Sequence, residues 1–389
     1  MTSLQAIPQR EALPPLYRAP QLSSRSLRQI VYPTLGGNEI RLHLSNRYAS
    51  TPLDIESLRI APAQGDGAAT RGPGVTVTFS GQARLHLAPG GEADSDPVAL
   101  AVTRLQPYAI SMLLGPEQRL QAWHRVAGQW SYLSAPGDHT QDLSADAFDL
   151  HFNQFAWVTA LQVPHTAAGA VLAIGDSITD GMRSSPGRNR RWPDALSRRL
   201  GLVVDHPPAV LNAGISGNRL LSDSPCYGER LVERLEQELE HQPGVHTVIA
   251  QIGINDINFA AMPARGGLDC DEPHTPVTAA QLIAGYRQLI ATAHRHHATL
   301  LLGTLTPAGL PPGREWLRSA VNQWVRNNQE ADGFVDFDAE LRDPAHPASL
   351  RKNFDSGDHI HPSDAGYQAM ANAVPLPLLA TPTQRRAAR

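Results

Sequence analysis

The hydrophobic rhythm of the chain changes near residue 165, and this change constrains the fold more than any other feature of the sequence. Before it, short β-type runs alternate with turn clusters: Glu39–Ser45 (EIRLHLS), Gly74–Phe79 (GVTVTF), Arg84–Ala88 (RLHLA) and Asp96–Val102 (DPVALAV). Ile40, Leu42 and Leu44 point one way and Arg41, His43 and Ser45 the other, the period of two of a half-buried strand. Punctuation such as GDG, GPG and PGG, with no amphipathic helix between, predicts an antiparallel β-sandwich over residues 1–165. Phe148–Val163 reads as its last strands and Pro164–Gly169 as a linker.

After the linker, short apolar runs alternate with helical patterns. Ala170–Ile174, Ala209–Asn212, Thr247–Ile252, Thr299–Gly303 and Phe334–Phe337 are apolar throughout, as strands covered on both faces would be. Between them lie helical segments at Trp192–Leu200, Gly228–His241, Thr278–His296 and Arg314–Gln329. In the second of these, Leu231, Leu235 and Leu239 recur every four residues while Glu and Arg fill the rest, as in an amphipathic helix laid on a sheet. Residues 166–389 are therefore expected to form a doubly wound α/β domain, with ligands at the carboxyl ends of parallel strands.

Those strand ends carry the reactive side chains. The first strand runs into Gly175-Asp176-Ser177-Ile178-Thr179, where small residues permit a tight strand-to-helix turn and expose the serine hydroxyl. The second ends in Asn212-Ala213-Gly214-Ile215-Ser216-Gly217-Asn218 and the third in Gly253-Ile254-Asn255-Asp256. Asp358-His359-Ile360-His361-Pro362 precedes a last helix, Ser363–Ala373. GDSIT, a glycine after the second strand, GxND and DxxH, in this order, resemble the four signature blocks of the SGNH (GDSL) hydrolase family over roughly residues 170–375. The resemblance implies a five-stranded flavodoxin-like sheet and a serine esterase. The N-terminal sandwich, jelly-roll-like, matches the company such a core keeps in secreted bacterial carbohydrate esterases.

The chemistry these residues support can be argued without the resemblance. A serine hydroxyl is a poor nucleophile until a base removes its proton, and imidazole titrates near neutrality. His361 is the expected base for Ser177. Asp358, three residues earlier, would fix its tautomer and stabilise the imidazolium. The resemblance implies an oxyanion hole from the Ser177 N–H, the Gly214 N–H and the Asn255 side chain. Each assignment has a plainer rival. Ser177 could cap the helix that follows it, Gly214 could be a turn glycine and Asn255 an Asx-turn residue. Taken alone, His359 and His361 are equal candidates, and the DxxH spacing selects His361. Asp176, Asp180 and Asp256 read as turn-holding or capping acids.

Other conspicuous features read as structure. His294, His296 and His297 suit a helix C-terminus, and no metal is expected. Gly36, Gly37, Gly65 and Gly67 are hairpin glycines, and without a phosphate-binding glycine motif no cofactor is expected. Trp123, Trp130, Tyr132 and Trp157 could stack on sugar rings, although core packing is the plainer role. The 389 residues carry a formal net charge of −4 with no basic stripe, which argues against nucleic acid. No apolar run is long enough to span a bilayer, and Met1–Pro20 lacks the order of a secretory signal. Of the only two cysteines, Cys226 and Cys270, a disulfide would fit a secreted or periplasmic protein and two thiols the cytosol; the disulfide is the reading adopted. Loops expected over the site, Arg183–Arg191, Ser222–Arg230 and Pro263–His274, are polar and basic. They favour a short acyl group such as acetyl on a small-molecule or oligosaccharide carrier. The alternatives are a lysophospholipase or thioesterase with an apolar groove, an O-acetyltransferase using the same residues, and a non-catalytic carbohydrate-binding protein. Oligomeric state is not encoded in any pattern of this kind.

Overall fold

The computed structural model describes residues 2–8, 13–14, 17–164, 168–242 and 244–379. The chain divides into two compact units, Met1–His165 and Thr166–Arg389. The first is β-rich and antiparallel. Its larger sheet runs Leu150–Phe152, Ser131–Pro136, Arg25–Val31, Tyr108–Leu114, Leu53–Pro62 and Val75–Thr76, with Leu85–Leu87 also pairing with Leu53–Pro62. In a second sheet Arg41–Ser45 lies between Val158–Gln162 and Glu92–Asp94. Ile40, Leu42 and Leu44 are fully buried, as their period requires. Ser45 is buried too, with its hydroxyl donating to Glu92.

Sequence pattern misses the longest strands of this unit. Arg25–Val31 is buried along nearly its whole length, so it shows no alternation. It even buries Arg28, whose guanidinium donates to Ser111 Oγ and to the carbonyls of Ala68, His139 and Asp142. Conversely, the run Asp96–Val102 forms no strand: Val98 and Val102 make only isolated bridges, to Ile40 and Gly37. Trp123 and Trp157 are core residues, whereas Trp130 and Tyr132 are half-buried around His151.

The second unit holds one parallel sheet of five strands: β1 (Ala170–Gly175), β2 (Ala209–Gly214), β3 (Val245–Gln251), β4 (Thr299–Gly303) and β5 (Gly333–Val335). Their spatial order is β2-β1-β3-β4-β5, the flavodoxin-like order. Every residue of β1 is buried, because helices cover both faces. One face carries α2 (Trp192–Val203), α7 (Phe337–Leu341) and α8 (Asp364–Ala373), which pack Trp192, Leu196, Phe337, Tyr367 and Met370 against Val171, Ile249 and Leu301. The helices α3 (Leu231–Glu240), α5 (Ala279–Arg295) and α6 (Pro312–Asn327) pack in series with one another. Leu231, Leu235 and Leu239 of α3 are buried. Caps set the boundaries: Thr278 and Gln281 form a capping box at α5, and Ser363 caps α8 by accepting from the Gly366 N–H. Two four-to-six-residue helices have no period to betray them, α1 (Ser177–Asp180) and α4 (Ile254–Phe259). Both start at strand ends, and they hold Ser177 and Asn255. Among the described residues, no helix is long and apolar enough to cross a membrane.

Candidate active site

The site begins at the end of β1. Gly175 leaves no room for a side chain, since a Cβ there would lie 2.1 Å from the Gln251 carbonyl oxygen of β3. The chain turns immediately, and Asp176 caps α1 by accepting the Ile178 N–H at 3.0 Å. Ser177 is thus the first residue of α1, at the junction of β1 and β3 where strand order reverses. Asp176 is completely buried, and burial pushes its carboxyl up to about 7, against the Ile178 N–H and with help from the nearby Asp256 and Asp180 charges.

The turn before α8 brings in the partner groups. Asp358 Oδ1 accepts the backbone N–H of Ile360 at 3.1 Å and of His361 at 2.8 Å, so the acid is locked to its own turn. Its Oδ2 lies 2.8 Å from His361 Nδ1, and His361 Nε2 lies 2.8 Å from Ser177 Oγ. An ionised carboxylate only accepts, which puts the proton on Nδ1 and leaves Nε2 to accept from the serine hydroxyl. Partial burial raises the Asp358 pKa, but the His361 N–H and imidazole outweigh it and hold the carboxyl well below the usual range. His359 points elsewhere: its side chain is 80% exposed and pairs with Asp355. A further contact was not visible in sequence: Arg183 Nε donates to the same Asp358 Oδ2 at 3.1 Å.

Opposite lie the expected oxyanion donors, and one of them needs correction. The Gly214 N–H donates to Asn212 Oδ1 at 2.9 Å, within the end of β2. Gly214 is there for close approach, because a Cβ would lie 2.2 Å from the Asp180 amide nitrogen. Three residues on, Gly217 adopts φ +87°, and among the described residues its N–H meets no acceptor. It adjoins Asn218, whose carbonyl accepts from Asn255 Nδ2 at 3.0 Å. That bond fixes the Asn255 amide, whose second proton meets no acceptor among the described residues. Gly217 rather than Gly214 is the glycine with a donor to offer. The signal was present in sequence as a second glycine in the same Gly-Ile-Ser-Gly run.

Buried charges hold this loop in place. Asp180 accepts from both the N–H and hydroxyl of Ser216, and Asp256 from the Leu220 and Leu221 N–H groups. Burial raises Asp256 to about 6, against those two N–H groups and Arg219. Arg234, on the supposedly polar side of α3, is in fact buried and donates to the carbonyls of Ala213 and Gly175 and to Asn218 Oδ1. The period of leucines gave no hint of this, because one buried arginine among six polar positions does not disturb a stripe.

Two of the three polar loops are tied to each other. Cys226 and Cys270 form a disulfide between Ser222–Arg230 and Pro263–His274. Arg219 adds a second link by donating to the carbonyls of Asp223, Asp271, Glu272 and Pro273. Tyr227 and Phe259, half-buried, pack with their rings tilted and their centroids 5.6 Å apart beside Gly217. The helix-end histidines diverge, His294 pairing with Asp332 and His296 with Glu236.

Comparison with known proteins bears on this arrangement. The chain is similar to an acetylxylan esterase from Geobacillus stearothermophilus, with 22% identity over 56% of this chain and 96% of that one and a TM-score of 0.40. It is also similar to a G-D-S-L family protein from Desulfitobacterium hafniense, with 17% identity over 53% and 97% of the two chains and a TM-score of 0.38. A search of curated proteins finds no match to the chain. Residues 173–369, just over half of the chain and spanning the three strand-end segments and the turn before α8, match the GDSL-like Lipase/Acylhydrolase family. The protein belongs to that family.

Proposed function

We propose that this protein is a serine carboxylic ester hydrolase acting through an acyl-enzyme, with Ser177, His361 and Asp358 as its triad. The observation that carries the reading is the unbroken relay from Asp358 Oδ2 through His361 to Ser177 Oγ, both steps at 2.8 Å. Ser177 Oγ attacks the ester carbonyl carbon as His361 Nε2 takes its proton. The oxyanion forms against the N–H groups of Ser177 and Gly217 and the free amide proton of Asn255. His361 returns the proton to the departing alcohol, and water repeats the sequence to release the acid and restore Ser177.

The proposed substrate is a short acyl ester, acetyl above all, carried on a small-molecule or oligosaccharide alcohol. Its support is the character of the nearby loops, where Arg183, Arg188 and Arg190 are exposed and no long apolar lid interrupts the polar residues. The disulfide supports an oxidising compartment, secreted or periplasmic. The N-terminal unit is taken as an accessory β-sandwich domain. Turnover of p-nitrophenyl esters from acetyl to dodecanoyl tests the reading, with Ser177→Ala as control. Acetyl is expected to be fastest and the variant inactive; preference for the C8–C12 esters would refute the short-acyl assignment, and a fully active variant the triad.

A further inference from the structure

Arg183 lies in none of the four segments that carry the site, yet it touches the acid paired with His361. Its Nε donates to Asp358 Oδ2 at 3.1 Å, the same oxygen that receives His361 Nδ1. Arg183 also has φ +70°, a backbone region that side-chain-bearing residues rarely adopt. The flanking residues hold it there. Tyr367 Oη donates to the Met182 carbonyl at 2.6 Å, and Ser184 Oγ to that of Gly181 at 2.7 Å. The N–H and hydroxyl of Ser185 both donate to Asp364, at 2.8 and 2.6 Å. The segment is therefore latched to the start of α8 on both sides of Arg183, and the latch aims the guanidinium at Asp358.

We infer that Arg183 is a positioning residue: it orients Asp358 and offsets part of its charge, so that His361 remains an unprotonated base to lower pH than beside Asp358 alone. The inference rests on the triad reading above. A stabilising role alone does not account for the geometry, because the Arg183 side chain is 57% exposed and ion pairs so open to water add little to stability. Its effect on a proton two bonds of the relay away is different in kind. The carboxylates about this corner are Asp358 and the His359-paired Asp355 on the same turn, Asp364 at the start of α8 and the buried Asp180 behind the nucleophile; of the cations on the Arg183 loop, Arg188 and Arg190 are exposed and Arg191 pairs with Asp194. Carboxylates there favour imidazolium, and imidazolium cannot accept the Ser177 proton. A cation on Asp358 opposes them.

The test is the pH dependence of kcat/KM for p-nitrophenyl acetate in a charge series, Arg183→Lys, Arg183→Gln and Arg183→Glu. All three replacements carry a Cβ and face the same backbone conformation, so a purely structural defect would affect them alike. The acidic limb is expected to stay near wild type for Lys, to move up by roughly half a pH unit for Gln, and further for Glu. Plateau kcat should fall only a few-fold for Gln. If Ser177→Ala is inactive but the acidic limbs of the series superimpose, or activity falls equally at every pH, the inference alone is overturned. If Ser177→Ala retains activity, the triad reading fails and takes the inference with it.

Discussion

Asn255 and Asp176 show how single side chains set this site. Asn255 uses one amide proton on the Asn218 carbonyl, and in the proposed reaction the other, which meets no acceptor among the described residues, receives the oxyanion. Asn255→Ala is therefore expected to lower kcat by about 10²–10³ with a smaller change in KM, measured by steady-state kinetics on p-nitrophenyl acetate. Asp176 bears on stability. Its folded pKa of about 7 lies above the unfolded value, so between those two values the native state holds the extra proton. Stability from this group is thus lost as pH rises from the unfolded value through 7, and stays lost above it. Asp176→Asn keeps a capping oxygen for Ile178 and cannot ionise. It is expected to raise the melting temperature at pH 8 relative to wild type and to do much less at pH 5; an equal effect at both would contradict the assignment.

At the scale of elements, the two loops beside α4 behave as one. The disulfide closes a loop between residues 44 apart in sequence, and the chain-entropy account makes that worth about 2–4 kcal/mol. Cys270→Ser is expected to reduce the free energy of unfolding by that order in a denaturant titration. The same loop carries a pH-sensitive tie. His274 Nδ1 meets the Phe259 carbonyl at 3.0 Å and Nε2 meets Asp269 at 2.8 Å, and only an imidazolium donates to two acceptors. The Asp269 bond, then the Phe259 carbonyl, raise the His274 pKa. The tie is complete below the unfolded histidine value and lost as pH rises through the raised one. Amide exchange across 263–274, corrected for intrinsic rate, should accelerate over that range in wild type and be fast at all pH in His274→Ala. The long helices and buried strands of this unit could be read from period and caps, whereas of these loops only the cysteine pair could be read. The rest of their order comes from an arginine fork reaching across some fifty residues and from a histidine held by two acceptors, neither of which has a pattern in the chain.

On the scale of the molecule, two compact units with separate cores replace one. Scanning calorimetry is expected to give a total enthalpy larger than the van't Hoff value, as for a protein whose parts unfold separately; equality of the two would show a single cooperative block. The change of rhythm near residue 165, the alternation of apolar strands with helices, the three strand-end segments and the turn before the last helix were all determined by sequence, because period and turn chemistry are local. Other features were decided only by the tertiary structure. Gly217 rather than Gly214 holds the unused N–H, Arg28 and Arg234 lie inside, and Arg183 reaches Asp358. The reason is physical: burial and hydrogen-bond supply depend on neighbours brought together by the fold. Ser177 and His361 stand 184 residues apart in the chain, and 2.8 Å apart in space.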